Sequence, residues 1–135
     1  MITYKESKEI KQTDIKSLYS SVKWTNYTNN LAKLENAINH SLSVITAWDG
    51  EKLVGLIRAV GDGETILYIQ DILVHPDFQN QQIGTNLMNQ MLHKYTDIRQ
   101  KVLLTEEAPD VRHFYQKFGF SSCDKGQVVA FYKAY

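Results

Sequence analysis

The chain has 135 residues, 43% of them hydrophobic, and its 15 basic and 15 acidic side chains leave no net charge. That length fits one domain over residues 1–135, and the charge balance argues against a nucleic-acid partner, which normally requires a basic surplus. No stretch approaches the roughly 18 uncharged apolar residues of a membrane span, so no membrane partner is expected. The single cysteine, Cys123, fits a reducing compartment and predicts a cytoplasmic location.

The first forty residues predict one strand and two short helices. Ile2–Glu6 has the composition of a strand, and Thr13 is placed to cap a helix that runs through Val22. Residues 23–28 are polar and aromatic and predict a loop. A second helix is predicted over Asn30–His40, where apolar residues recur at helical spacing.

The period then changes from helical to extended. Ser43–Trp48 and Lys52–Ala59 flank an Asp-Gly pair, which favours a tight primed turn and therefore a β-hairpin. A second glycine-containing turn at Gly61–Gly63 leads into a fourth strand over Thr65–Val74. This part of the chain predicts an antiparallel sheet.

The second half predicts two more helices and two more strands. Ile83–Tyr95 carries apolar residues at every fourth position, and Lys101–Thr105 predicts a short buried strand. A helix should begin at Pro109 and end before Gly119, and Gln127–Tyr135 should form the last strand. The resulting order indicates an α/β (α+β) domain with a mixed, mostly antiparallel sheet and one right-handed parallel crossover.

A polar segment joins the strand at Thr65–Val74 to the helix that follows, and we call it the arm. A strand, loop and helix start in succession can seat a phosphate, because first-turn amides lack intrahelical partners and the helix dipole is positive there. The arm contains no Lys or Arg, so main-chain amides and the Thr85 hydroxyl would hold a diphosphate. The alternative is a polar loop that only caps the helix. The arm comprises Gln79, Asn80, Gln81, Gln82, Ile83, Gly84 and Thr85.

Two motifs give the chain a family resemblance over nearly its whole length. The segment LVHP followed by QNQQIGT, and the later segment FYQKFGF, resemble the coenzyme A signature and the tyrosine motif of the GNAT superfamily of acyl-CoA N-acyltransferases. Gln82 stands where that signature usually has its first glycine, and Ala108 where an asparagine is frequent. If position 82 requires a positive φ, glutamine there costs about 1–2 kcal/mol relative to glycine. LYSSVKWTNYT is also similar to a branch with plastid and cyanobacterial arylalkylamine N-acetyltransferases.

The resemblance implies acetyl-CoA as cosubstrate, bound in a V-shaped gap between the strand at Thr65–Val74 and the strand at Lys101–Thr105. The main chain of Leu73 and Val74 would pair with pantetheine, and Tyr115 would protonate the departing thiolate. The expected reaction is direct acetyl transfer to a primary amine of a small molecule, and a homodimer is possible. The alternatives are a protein or peptide N-acetyltransferase and a non-catalytic acyl-CoA-binding regulatory module.

An alkyl amine with a pKa of about 10.4 must lose a proton before it attacks, and a carboxylate can assist. Asp71 interrupts an apolar strand, so it either faces a wet cleft, as an acceptor-binding group or base, or is paired, with Arg58 as one partner. Glu106 is the competing base. Trp24 and Tyr27 either wall the acceptor pocket or simply pack. The His and Cys spacing suggests no metal site.

Overall fold

The computed structural model describes residues 1–134 and falls into two compact units, residues 1–103 and a second that begins at Leu104. The second unit contains a helix and a 3-10 turn, α5 (Pro109–Gln116) and Cys123–Lys125. The first unit contains, in order, β1 (Ile2–Glu6), α1 (Gln12–Ser21), α2 (Thr25–Thr28), α3 (Leu31–Asn39), β2 (Ser43–Asp49), β3 (Lys52–Gly61), β4 (Ile66–Val74), a 3-10 turn (Pro76–Phe78), α4 (Ile83–Lys94) and β5 (Gln100–Leu103).

The five strands form one sheet in sequence order, antiparallel from β1 to β4 and parallel between β4 and β5. This is the mixed, mostly antiparallel sheet that the element order predicts. The parallel ladder joins Ile66–Ile69 to Gln100–Leu103. Since β5 ends at Leu103, the residues of β4 from Gln70 to Val74 extend beyond the β4–β5 ladder.

Helices pack on both faces of the sheet, because successive strand residues point to opposite sides. Leu56 of β3 belongs to a buried cluster with α1 and α3. Its neighbour Gly55 lies under α4, where a Cβ atom would stand 3.0 Å from the Ile83 Cγ2 and 3.2 Å from the Leu87 Cδ1. Glycine at position 55 therefore lets the first turn of α4 approach the sheet closely.

We expect Gly55→Ala to lower the free energy of unfolding by about 1–3 kcal/mol, because Ile83 and Leu87 are buried and cannot move aside freely. Urea denaturation of the purified variant measures this cost. Gly126→Ala is the matched control, since nothing lies within 4 Å of a Cβ there and its φ is −128°. Equal stability of the two variants would contradict a close contact at Gly55.

Most predicted elements in the first unit are present within two residues of their expected ends. The hairpin of β2 and β3 turns at Gly50, which has a φ of 62°. Thr13 does not cap α1: the carbonyl of Lys11 already accepts from the amides of Asp14 and Ile15, so the helix begins before Thr13.

Two predictions from local pattern are wrong. Residues 23–28 contain the one-turn helix α2, which forms where Trp24 and Tyr27 pack against Tyr19. Residues 127–134 form no strand, although their composition favours one. Side chains of this segment, such as Phe131 at 96% exposure, are open to solvent. Strand propensity mainly reports packing against a neighbouring strand, and within the described residues no ladder is formed here.

Candidate functional site

The arm has a backbone shape that few non-glycine residues adopt. Asn80 and Gln82 both lie in the left-handed region, with φ values of 64° and 66°, whereas Gln81 between them does not. Gln82 is the N-cap of α4, and its side chain makes no capping hydrogen bond. Position 82 therefore needs the positive φ that the glycine of the usual signature would supply at low cost.

A second set of contacts fixes the entry to the arm. The amide of His75 donates to the carbonyl of Val54 on β3, at 2.8 Å, which holds the end of β4 to the sheet. The His75 Nδ1 accepts from the amide of Asp77, at 3.1 Å, and this bond stabilises the following 3-10 turn. The Gln79 Nε2 donates to the Val74 carbonyl at 3.4 Å. His75 thus shapes the strand end, and the arm begins from a fixed point.

We expect Gln82→Gly to raise the free energy of unfolding by about 1 kcal/mol, because glycine removes the left-handed strain. The measurement is the urea midpoint at constant denaturant slope. Gln81→Gly is the control: its φ is not positive, so the variant should lose stability through the greater freedom of its unfolded chain. If both glycines changed stability equally, strain at position 82 would not be the cause.

The strand edge beside the arm is formed by Leu73 and Val74. The Leu73 side chain is buried in the core with α1 and α3, so only its main chain can contact a ligand. Val74 is half-buried and lies opposite Gly55 in the β3–β4 ladder. Both residues lie in the part of β4 that extends beyond β5. The arm and this edge are consecutive in sequence and belong to the same unit.

Asp71 is paired and does not face a wet cleft. It is 2% exposed, and one of its oxygens, Oδ2, accepts from the Arg58 Nε at 2.8 Å and the Tyr19 hydroxyl at 3.0 Å. The other oxygen, Oδ1, accepts from the Tyr27 hydroxyl at 2.8 Å. Arg58 also donates to the Ser41 hydroxyl. Of the two alternatives that the sequence leaves open, this geometry favours pairing with Arg58 over a role in acceptor binding or base catalysis.

Burial and charge act together on the pKa values of this network. Burial raises the pKa of Tyr19, and the adjacent Asp71 carboxylate raises it further; Tyr27 is raised by the same two causes. Burial tends to lower the pKa of Arg58, but the Asp71 carboxylate outweighs it and leaves the pKa above its usual range. The tyrosine protons therefore stay in place at neutral pH. Their stabilising contribution is complete below pH 10 and is lost as pH rises beyond it.

Trp24 and Tyr27 form an aromatic cluster with Tyr19 at the edge of the core. The ring centroid of Tyr19 lies 6.0 Å from that of Trp24 and 5.3 Å from that of Tyr27. Trp24 and Tyr27 are both half-buried, so each packs on the core and keeps part of its surface open. Packing and a role as pocket wall are thus compatible for this pair.

Gln70 joins this cluster and is not among the site residues that the sequence predicts. Its Nε2 donates to the Tyr27 hydroxyl oxygen at 3.1 Å, and the side chain is exposed. The β3–β4 register shifts here: Arg58 pairs with Asp71 and Ala59 with Ile69, so Gln70 is the extra residue of a β-bulge. The sequence contains a signal for this bulge, since the consecutive polar residues Gln70 and Asp71 break the pattern of an otherwise apolar strand.

The second unit contains Tyr115 and Glu106. Burial raises the pKa of Tyr115, and a hydrogen bond with the Thr105 side chain lowers it by less, so the hydroxyl is protonated at neutral pH. The Tyr115 ring makes edge contacts with the rings of Phe114 and Phe120, whose centroids lie 5.1 and 6.1 Å from its own. Glu106 is exposed in the segment that precedes α5.

The start of α5 is held by charge pairs. The Arg112 guanidinium donates to both carboxylate oxygens of Glu107, at 2.5 and 2.8 Å, and contacts Asp124 at 3.2 Å. The bond from Arg112 lowers the pKa of Glu107. Hydrogen bonds from Ser122 and Arg112 hold the pKa of Asp124 at about 2. These contacts fix the helix that carries Tyr115.

Within residues 1–134, no three His, Cys, Asp or Glu side chains lie close enough together to hold a metal ion. None of the helices that the structure describes is long and apolar enough to cross a membrane.

Comparison with known proteins adds three findings. The family model for the acetyltransferase (GNAT) domain matches residues 6–134. A solved GNAT-family acetyltransferase of Streptococcus pneumoniae TIGR4 is 36% identical, with a TM-score of 0.88 over 100% of this chain and 98% of that one. The N-acetyltransferase ycf52 of Porphyra purpurea is 32% identical over 84% of this chain and 67% of its own length.

A plant protein, the chloroplastic GCN5-related N-acetyltransferase 2 of Arabidopsis thaliana, is 29% identical over 93% of this chain but only 55% of its own length. The chain thus spans between about half and two thirds of these two longer relatives, whereas it matches the streptococcal structure almost end to end.

Proposed function

Because this chain belongs to the GNAT family of acetyltransferases, we propose that it transfers the acetyl group of acetyl-CoA directly to a primary amine of a small molecule. The observation that carries the proposal is the continuity of a strand edge with an amide-rich arm. β4 extends past the end of β5, and the arm that follows turns twice through left-handed residues before α4 begins.

The arm binds the diphosphate of coenzyme A in this proposal. Left-handed residues that alternate with ordinary ones aim successive amides toward one point and form an anion-binding concavity. The first-turn amides of α4 and the positive end of its dipole act in the same direction. Gln79, Asn80, Gln81, Gln82, Ile83, Gly84 and Thr85 are the residues that we assign to this role.

Pantetheine then extends from the arm along β4, where the main chain of Leu73 and Val74 forms strand-like hydrogen bonds with its amides. An extended strand rises about 3.3 Å per residue, so from Val74 back to Gln70 the edge runs for roughly 13 Å. The thioester would thus approach the bulge, where main-chain N–H groups on β4 can stabilise the oxyanion.

The remaining proposed roles are the two proton transfers of the reaction and the support of the acceptor. Tyr115 is the proposed general acid, and its raised pKa supports this because the hydroxyl keeps its proton at neutral pH. Glu106 is the proposed base, directly or through water, and it is exposed in the segment that precedes α5. We assign Asp71 to the support of the acceptor side, since its oxygens already accept three hydrogen bonds.

A small molecule is preferred as acceptor because the chain has no net charge and therefore no general attraction for a charged polymer. Trp24 and Tyr27 supply aromatic surface that suits an amine with an apolar body. The proposal that they wall the acceptor pocket rests on their partial exposure beside Gln70.

Calorimetry with coenzyme A, set against pantetheine, tests the cofactor site. Coenzyme A should bind, and pantetheine should bind at least tenfold more weakly because it lacks the diphosphate.

Free-thiol release from acetyl-CoA in the presence of phenethylamine, tryptamine, spermidine or a peptide with a free N-terminus then tests the reaction. If only the peptide were acetylated, the acceptor would be a protein and not a small molecule. If coenzyme A bound but no amine caused thiol release, the chain would be a regulatory module.

A further inference from the structure

The β-bulge in β4 directs two consecutive side chains to one hydroxyl. In a regular strand, neighbouring residues point to opposite faces. Here Asp71 accepts from the Tyr27 hydroxyl at 2.8 Å, while Gln70 donates to the same oxygen at 3.1 Å. The register shift between Arg58 and Ala59 of β3 is what allows both residues of β4 to reach Tyr27.

The orientation of the Gln70 amide follows from the chemistry of its partners. Tyr27 has one hydroxyl proton, and the Asp71 carboxylate, which can only accept, takes it. The Tyr27 oxygen can then only accept, so Gln70 must present its NH₂ group, as Arg58 does with its Nη2 at 3.3 Å. The carbonyl oxygen Oε1 of Gln70 is consequently turned away from Tyr27.

This carbonyl lies at a distinctive place in the sheet. The β4–β5 ladder ends at Ile69 and Leu103, so Gln70 is the first residue of β4 beyond the ladder. The side chain is exposed, and among residues 1–134 its Oε1 has no hydrogen-bond donor. An acceptor atom held by a buried network and open to solvent is suited to a ligand with N–H groups.

We propose that the Gln70 side-chain carbonyl accepts a hydrogen bond from the amine substrate and that Tyr27 is the residue that positions it. This rests on the proposed function, because it names a contact of the acceptor in that reaction. A neutral amide can bind either the ammonium form or the free amine without withdrawing the proton. Gln70 would therefore orient the nitrogen toward the thioester, and deprotonation would be left to another group.

The test measures steady-state kinetics with phenethylamine and tryptamine, together with the calorimetric Kd for coenzyme A. Gln70→Met keeps the length of the side chain but removes its amide, both the carbonyl and the NH₂ group that donates to Tyr27, and it should raise the KM for amine about tenfold. In this variant the Kd for coenzyme A should stay unchanged, and the thermal midpoint should fall by only a few degrees because the lost hydrogen bond to Tyr27 is exposed. Tyr27→Phe should raise the amine KM by a smaller factor, about threefold, because Gln70 is kept but loses its anchor. Gln12→Met, at an exposed glutamine of α1, is the matched control.

An unchanged amine KM in Gln70→Met would overturn the proposal. A parallel loss of coenzyme A affinity would also overturn it, because Gln70 would then only support the strand edge. Failure of the proposed function is recognised separately: the unmodified protein would release no thiol with any amine.

Discussion

Replacing Asp71 by asparagine is expected to lower the free energy of unfolding by about 3–5 kcal/mol, the range for a buried ion pair that loses one partner. The substitution leaves the Arg58 guanidinium buried at 4% exposure without a counter-ion. It also exchanges one of two accepting oxygens for an NH₂ group that faces donors from Tyr19, Tyr27 or Arg58. Since domains of this size are stable by about 5–15 kcal/mol, urea denaturation should show a large shift of the midpoint.

Two further variants test whether the loss of stability comes from the unpaired charge of Arg58. Asp97→Asn, at an exposed carboxylate beyond α4, should change stability by less than about 0.5 kcal/mol. Arg58→Met combined with Asp71→Asn should be more stable than Asp71→Asn alone, because the unpaired charge is gone. The structural assignment would be wrong if Asp71→Asn kept full stability and instead lost the alkaline-rising limb of its pH–rate profile.

Glu106→Gln, the competing base, should lose that limb if Glu106 has the role that we propose.

Features that depend on neighbouring residues were predictable from the sequence. The hairpin of β2 and β3 follows from an Asp-Gly turn between two extended segments, and the structure places Gly50 at a positive φ there. The start of α4 followed in the same way from its four-residue apolar step. The sequence also indicated that Gln82 would be strained if position 82 required a positive φ, and the structure shows a positive φ there.

Features that depend on distant partners were not predictable. Tyr19 and Tyr27 lie 52 and 44 residues from Asp71 in sequence, and nothing local indicates that all three meet. The bulge at Gln70 is a property of the β3–β4 register, so the strand pattern alone gave only a break in alternation. The helix α2 forms where aromatic side chains meet Tyr19, and this tertiary contact overrides a loop-like composition.

The residues of the candidate site fall into the same two groups, those predictable from neighbouring residues and those that depend on distant partners. The arm is contiguous, so its residues could be named from the sequence, and the structure adds its two left-handed turns. The network around Asp71, which we propose to support the acceptor, is assembled from α1, α2, β3 and β4. The sequence drew attention to Asp71 with Arg58 and, separately, to Trp24 and Tyr27, but not to their meeting in one network. Its most exposed polar member, Gln70, became evident only from its contact with Tyr27.

Tyr115→Phe is expected to lower turnover about a hundredfold while the fold and coenzyme A affinity are kept, which is the lower end of the effect of a general acid. The phenylalanine keeps the ring contacts with Phe114 and Phe120 and removes only the hydroxyl and its bond with Thr105. The loss of one half-buried hydrogen bond costs about 1 kcal/mol, too little to unfold the domain. Thiol release at saturating acetyl-CoA and amine measures turnover, and calorimetry measures cofactor affinity.

The pH dependence gives this prediction a second readout. Burial raises the Tyr115 pKa above its ordinary value of 10, so the protonated, active form persists through neutral pH and is lost only as pH rises beyond that value. Tyr132→Phe, at a tyrosine that is 74% exposed in the same unit, is the matched control and should leave turnover unchanged. Equal turnover of Tyr115→Phe and the unmodified protein would show that another donor, water included, protonates the thiolate.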